Sequence, residues 1–377
     1  MTFTKDIFGY IMMFPAIAVL AFALLTGCDN DNQALSSTAP IPKPAHELVF
    51  YEWKDEMPEK VLNDFTREYG VMVTNLSYSS VKEAVANLES GKVYDVVVIN
   101  SNEVPRLIQK GLLAKLNHGQ IKNFKNIAAN FRDLFYDPGN RYSIPFCWGT
   151  IGLAVRNDLV GEPVTRWIDL WDVRYAGRSG FWLDMPREVI AIALKSLGYS
   201  ANSEEPSELE HALRHLEALK PHMVRLEEVD PMVSTGVMSR RKSVVAMAWA
   251  RDVLEGREKN PSIDHVLPDE GALLWGDSLI IPANSPNQYT ARVFIDYLLR
   301  PDVNARIANK NRYATPNEAA MPLIDPAIRN DPVVFPSNDD LQNAELILPL
   351  SPEGQILHER IWKTFLQNWN GYMDRGD

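Results

Sequence analysis

Leu48-Val-Phe-Tyr-Glu-Trp53, Val71-Met-Val-Thr-Asn-Leu76 and Asp95-Val-Val-Val-Ile-Asn100 are three short runs rich in β-branched and aromatic residues. Each reads as a buried strand. Between the first two, Pro58 opens a stretch in which Val61, Leu62, Phe65 and Tyr69 recur at helical spacing until Gly70 stops it. Val81 to Leu88 reads as a second helix, and Val104 to Lys110 as a third that Gly111 ends. Strands alternating with helices predict a mostly parallel sheet flanked by helices on both faces.

The alternation returns downstream. After the turn at Asp137-Pro-Gly-Asn140 come two apolar segments, Tyr142 to Trp148 and Ile151 to Val155. Phe181-Trp-Leu183 reads as a strand with Pro186 at a helix start. Val244-Val-Ala-Met-Ala-Trp249 reads as a strand leading into a helix near Arg251, and Ser278-Leu-Ile-Ile281 as a strand before a helix from Ala291 to Leu299. With 377 residues and 46% hydrophobic content the chain can bury a large core, and this length favours two lobes over one. The expected fold is α/β, with two lobes of similar size. In open sheets of this kind a ligand lies outside the carboxyl ends of the strands.

Those positions carry a repeated chemistry. Trp53, Asp55 and Glu56 follow the first strand, Asp184 and Glu188 follow Phe181-Trp-Leu183, Trp249 and Asp252 end the Val244 strand, and Trp275 and Asp277 flank a later one. Tryptophan faces cover methylene chains and attract cations through the ring quadrupole; carboxylates accept ammonium hydrogen bonds. Both together fit a linear aliphatic cation with an ammonium at each end. For any one ring, core packing is the competing role, and Trp167 and Trp171 read that way. For any one acid, a helix cap competes, and Asp184 before Pro186 has that look. Repetition of the pair is what favours a ligand.

The charge balance of 38 Lys+Arg against 49 Asp+Glu, net −11, repels nucleic acid and anionic headgroups and favours cationic solutes. Near the N-terminus, Lys5 precedes an apolar run from Ile7 to Leu25 that ends Leu25-Thr26-Gly27-Cys28. Residues 1–27 therefore read as an export signal, with an uncleaved membrane anchor as the competing reading, since roughly 20 apolar residues span a bilayer. The ending resembles the bacterial lipobox, which implies a lipid anchor on Cys28. Asp29 resembles the inner-membrane retention signal of Gram-negative lipoproteins. Either reading places the globular part outside the cytoplasm, in the periplasm. Residues 28–44, polar and then proline-rich, read as a tether. Cys147, in Ile144-Pro-Phe-Cys-Trp148, is then left without a disulfide partner and reads as a buried small hydrophobe.

From about Glu47 to about Pro336 the chain resembles the spermidine/putrescine-binding proteins of bacterial polyamine ABC transporters. The resemblance rests on Phe50-Tyr-Glu-Trp53, Tyr94-Asp-Val-Val-Val98, Ser143-Ile-Pro-Phe-Cys-Trp-Gly149 and Pro186-Arg-Glu-Val189. Pro268-Asp-Glu-Gly271, Trp275-Gly-Asp-Ser-Leu279, Leu298-Leu-Arg-Pro-Asp-Val303 and Tyr313-Ala-Thr-Pro-Asn317 complete it. It implies a two-lobed periplasmic-binding-protein fold of the type II kind with the ligand cleft between lobes. One lobe would hold residues 45–151 and 277–321, the other 152–276 and 322–377. It also implies that Trp53 and Trp249 sandwich the ligand's methylenes, that Trp275 and Tyr313 complete the box, and that Asp55, Asp277 and Glu188 hold amino groups. Asp252 matches an acid of the putrescine-binding branch. The chain departs from the pattern at Lys54, Glu56, Asn100-Ser-Asn102 and Met185, and near Ile347. Lys54 either pairs with Glu56 or Asp55, points to solvent, or meets a ligand carboxylate, in which case the ligand is an amino acid or aminocarboxylate.

Other constellations carry less. His211 and His215 stand four apart but lack the glutamate of a zinc-hydrolase helix, and with charged neighbours they read as solvent-facing. Arg240-Arg-Lys242 reads as a solvated loop. No phosphate loop, nucleophile elbow or cysteine cluster occurs in the sequence, so no metal or cofactor is expected. The expected function is a monomeric receptor that closes on a polyamine and delivers it to the membrane permease of an ABC importer. The alternatives are an amine sensor acting on a membrane signalling protein and, further off, a glycan-active enzyme.

Overall fold

The computed structural model describes residues 42–182, 185–220, 223–226 and 243–367. The export signal, Cys28, most of the tether, Asp184 and Arg240-Arg-Lys242 lie outside the described residues. The first α/β run is β1 Glu47–Trp53, α1 Glu59–Tyr69, β2 Met72–Tyr78, α2 Val81–Glu89, β3 Val96–Asn100 and α3 Val104–Gln109. Helix α1 starts after Pro58 and ends at Gly70, whose φ of 69° lets its N–H reach the Thr66 carbonyl. Ser80 caps α2, its hydroxyl accepting the Glu83 N–H at 3.2 Å. Val61, Leu62 and Phe65 face Leu48 and Phe50 of β1 across one core.

The two apolar segments expected at Tyr142–Trp148 and Ile151–Val155 are one strand, β4 Ser143–Arg156. The Gly-Thr gap between them reads as a break because it lacks a large side chain. In the fold that gap is where Trp275 lies against the strand: a Cβ on Gly149 would sit 2.7 Å from the Trp275 ring. The second run follows as β5 Ser179–Trp182, α4 Pro186–Ser196, α5 Pro206–Leu219, β6 Met223–Leu226, β7 Val245–Trp249, α6 Ala250–Lys259 and β8 Ile263–Val266. Strand β9 is Leu273–Ile280, five residues longer at its start than the Ser278 run suggests. Helices α7 Gln288–Leu298, α8 Pro301–Asn311 and α9 Pro326–Arg329, strand β10 Glu345–Leu346 and helix α10 Pro352–Gln367 complete the described chain.

The strands join in the order β2-β1-β3-β9-β4-β7-β5-β6, with β10 beside β9 and β8 beside β4. The outer pairs are parallel, as the alternation predicts, while β9 and β4 run antiparallel to their neighbours in the middle. These two strands pass from one core to the other. In β4, Ile144 and Phe146 belong to the core with β1, whereas Ile151, Leu153 and Val155 belong to the core with α4 and α5. In β9, Leu273 lies in the second core and Leu279 in the first. The passage falls at residues 147–150 and 274–277. The chain also packs on both sides further on: Ile324 lies against α8, and Val333 and Val334 against Ala250 and Leu254 of α6.

Of the two histidines, one departs from its expected place. His215 is not solvent-facing: its ring stacks on Trp171 at 4.0 Å, and burial lowers its pKa. His211 is exposed and bonds the Tyr199 hydroxyl at 2.8 Å. Trp167 is fully buried and Trp171 half-buried, both with their indole N–H groups on backbone carbonyls. Among the described residues no helix is long and apolar enough to cross a membrane.

Candidate ligand-binding site

Asp277 sits where the two halves of the sheet meet, paired across β9 with Asn100 of β3 on one side and Cys147 of β4 on the other. That register fixes its carboxylate at the carboxyl end of β3, and it is 3% exposed. Its Oδ1 has no hydrogen-bond partner among the described residues, and Oδ2 has the Cys147 thiol at 4.0 Å. Burial pushes its pKa well above the carboxylate range and the nearby Glu56 adds to this, while a hydrogen bond with the Trp53 indole works the other way. A buried carboxylate oxygen left unpaired costs free energy until a donor arrives. Cys147, half-buried rather than fully buried as expected, shares this environment; desolvation and the two acids push its thiol pKa up, away from the thiolate.

Alternation along β9 puts Trp275, two residues before Asp277, on the same face of the strand. Its indole covers Gly149, and its Nε1 is buried without a partner. Tyr313 packs edge-to-face on it at 4.9 Å and 80°. From β1, Trp53 leans on Tyr78 at 4.6 Å, and the Tyr78 hydroxyl donates to the Val98 carbonyl at 2.7 Å. Trp53, Trp275, Tyr313 and Asp277 are therefore brought together, with Glu56 beside them.

The turn after β1 decides which of its polar side chains face inward. Lys54 donates its backbone N–H to Tyr78 at 3.1 Å, Asp55 takes a left-handed φ of 64°, and the Glu56 N–H returns to the Trp53 carbonyl at 3.4 Å. Lys54 and Asp55 are left exposed and Glu56 points in. The Tyr313 hydroxyl donates to Glu56 Oε1 at 3.0 Å. Burial raises the Glu56 pKa, partly offset by Arg251 and then Tyr313.

Arg251 was not among the expected site residues. It comes from the first turn of α6, between Trp249 and Asp252, and reaches across to the other half. One guanidinium nitrogen lies 3.3 Å from the Tyr313 hydroxyl and 3.6 Å from Glu56 Oε1, while Nε holds Glu255 at 3.0 Å. The guanidinium also sits over the Tyr313 ring, 5.3 Å from its centre. A single arginine in a strand end otherwise made of tryptophan and acid was the available signal.

The remaining expected residues fall as follows. Trp249 ends β7, half-buried against the second core. Asp252 is 3% exposed in the first turn of α6, and its charge bears on Tyr313. Glu188 is half-buried in the first turn of α4, with its charge on Arg187. Asn102 lies in the turn after β3, its Oδ1 buried without a partner, next to a Ser101–Ser278 hydroxyl pair at 2.8 Å that ties β3 to β9. Sequence reasoning also missed Glu52, 2% exposed behind the site. Its Oε1 accepts from Asn75 at 2.9 Å and from the Met57 N–H at 3.3 Å, and burial raises its pKa to about 7. An acid inside an apolar strand run was the visible sign.

Comparison with known proteins shows the family. Residues 60–336 match the family of bacterial extracellular solute-binding proteins. The chain is 35% identical over 315 residues to a spermidine/putrescine-binding periplasmic protein of Escherichia coli, covering 83% of this chain and 89% of that one. It is 30% identical to a putrescine/agmatine-binding protein of Pseudomonas aeruginosa, covering 83% and 89%. The fold matches the spermidine/putrescine ABC transporter substrate-binding protein PotD of Streptococcus pneumoniae with a TM-score of 0.77 at 27% identity, covering 86% of this chain and 99% of that one. This chain belongs to the bacterial extracellular solute-binding proteins, among those of the spermidine/putrescine-binding periplasmic kind.

Proposed function

We propose that the protein binds a small linear polyamine in the cleft where β4 and β9 pass between lobes, and hands it to the permease of an ABC importer without chemical change. The lobes are taken as residues 45–151 with 277–321, and 152–276 with 322–377. A lipid on Cys28 would hold the protein to the periplasmic face of the inner membrane. The observation that carries the ligand class is Asp277: a buried carboxylate with one oxygen unpaired, set among Trp53, Trp275 and Tyr313. An ammonium satisfies that oxygen, and the rings cover the methylenes next to it. Closure of the lobes would remove water and strengthen the contact. Arg251 of the second lobe lies 3.6 Å from Glu56 of the first, a contact that supports the meeting of the two lobes here.

Calorimetric titration with putrescine, cadaverine, spermidine and norspermidine tests this directly. Binding of at least one amine is expected, weakened about tenfold or more in Asp277→Ala, as loss of a charge-assisted hydrogen bond requires. Absence of binding by all four at millimolar concentration would end the polyamine reading.

A further inference from the structure

We infer that Arg251 is an internal cation that sets how many ammonium groups the cleft accepts, making the site selective for a diamine over longer polyamines. This rests on the polyamine reading above and refines it. Glu56 and Asp277 are two inward-facing carboxylates of the first lobe, close enough that Glu56 adds to the rise in the Asp277 pKa and both acids bear on Cys147. With both open, two ammonium groups of one ligand could be held at this end. Arg251 alters that count. Its guanidinium lies on Glu56 Oε1 at 3.6 Å, shares Tyr313 with it, and covers the Tyr313 ring face.

The arginine is not a loose side chain that a ligand would sweep aside. Glu255 at 3.0 Å holds its Nε from the same helix, and the guanidinium is mostly buried. Displacing it would strip a buried cation of its partners, which costs several-fold more than an exposed ion pair returns. An additional ammonium directed at Glu56 would also meet the guanidinium within a few ångström, where like charges in a partly dry cleft repel strongly. Of the oxygens of these two acids, Asp277 Oδ1 is the buried one without a partner among the described residues. The site at this end therefore takes one ammonium, and the other end of the ligand must reach the second lobe.

The experiment is a calorimetric comparison of wild type, Arg251→Met and Arg251→Lys, each as the full chain, with putrescine, spermidine and 4-aminobutyrate. Wild type is expected to prefer putrescine to spermidine by about tenfold or more, with Arg251→Met shifting that ratio towards spermidine by about tenfold and Arg251→Lys keeping it. Should Arg251→Met fail to unfold cooperatively, Glu56→Gln serves in its place. It leaves the guanidinium with Glu255 alone of its two carboxylates and is expected to weaken spermidine more than putrescine. A ratio unchanged by Arg251→Met, or a wild type that prefers spermidine, overturns the inference while leaving polyamine binding intact. Tighter binding of 4-aminobutyrate than of putrescine overturns it differently, by making the guanidinium a carboxylate contact. If no amine binds wild type or variants, the parent reading itself is lost.

Discussion

At the scale of single residues, the protein holds Asp277 buried, with one carboxylate oxygen unpartnered among the described residues. Its buried, half-satisfied carboxylate should destabilise the empty fold, so Asp277→Asn is expected to raise the unfolding midpoint, by about 1–3 kcal/mol in stability, while weakening amine binding. Thermal unfolding and titration of the same variant check both halves. A variant that loses both stability and affinity would make Asp277 a structural residue. The pKa direction gives a second expectation. Burial and Glu56 raise the carboxyl in the free protein, and an ammonium beside it would lower it again. Binding should then release protons, and affinity should fall as the pH drops through the raised value and level off above it. Calorimetry in buffers of different ionisation enthalpy measures the release; uptake of protons on binding would contradict it. The residue types were legible: Trp53 ends β1, and Trp275 and Asp277 stand just before the apolar Ser278 run, although they lie inside β9. Which of Lys54, Asp55 and Glu56 turns inward was not, because a left-handed φ at Asp55 decides it.

At the scale of elements, β4 and β9 carry the argument. Both strands change cores partway along, and the site residues lie at that change. Reading strands as runs of large apolar side chains located both but broke β4 at Gly149-Thr150 and shortened β9, since Gly276 and Asp277 interrupt its pattern. Those interruptions coincide with the proposed site. Gly149 leaves room for the Trp275 ring, and a methyl there would lie 2.7, 2.9 and 3.0 Å from three ring atoms. Gly149→Ala must displace the indole, an overpacking that costs about 1–3 kcal/mol. It is expected to lower the unfolding midpoint and to weaken amine binding, both read on one preparation. Wild-type affinity in a destabilised variant would remove Trp275 from the ligand box. Gly271 is held more strictly, with φ of 104° and a Cβ position that would overlap the Asn343 carbonyl oxygen, so the entry to β9 admits no side chain.

At the scale of the molecule, the α/β alternation and the two cores were legible because period-3.6 and apolar-run patterns are local. The joining of the two runs into one sheet was not, because it depends on antiparallel pairing of β9 with both β3 and β4, which are far from it in sequence. Arg251 escaped for the same reason: its partners Glu56 and Tyr313 come from opposite ends of the chain. What the whole assembly offers is a place where rings and acids from distant segments meet across the two strands that join the halves. A crystal structure of the protein grown with putrescine tests that claim most directly. It should show one ligand nitrogen within hydrogen-bonding distance of Asp277 Oδ1, the methylenes against Trp53 and Trp275, and Arg251 still on Glu56. Putrescine bound elsewhere, with the Asp277 oxygen still unpaired, would contradict it.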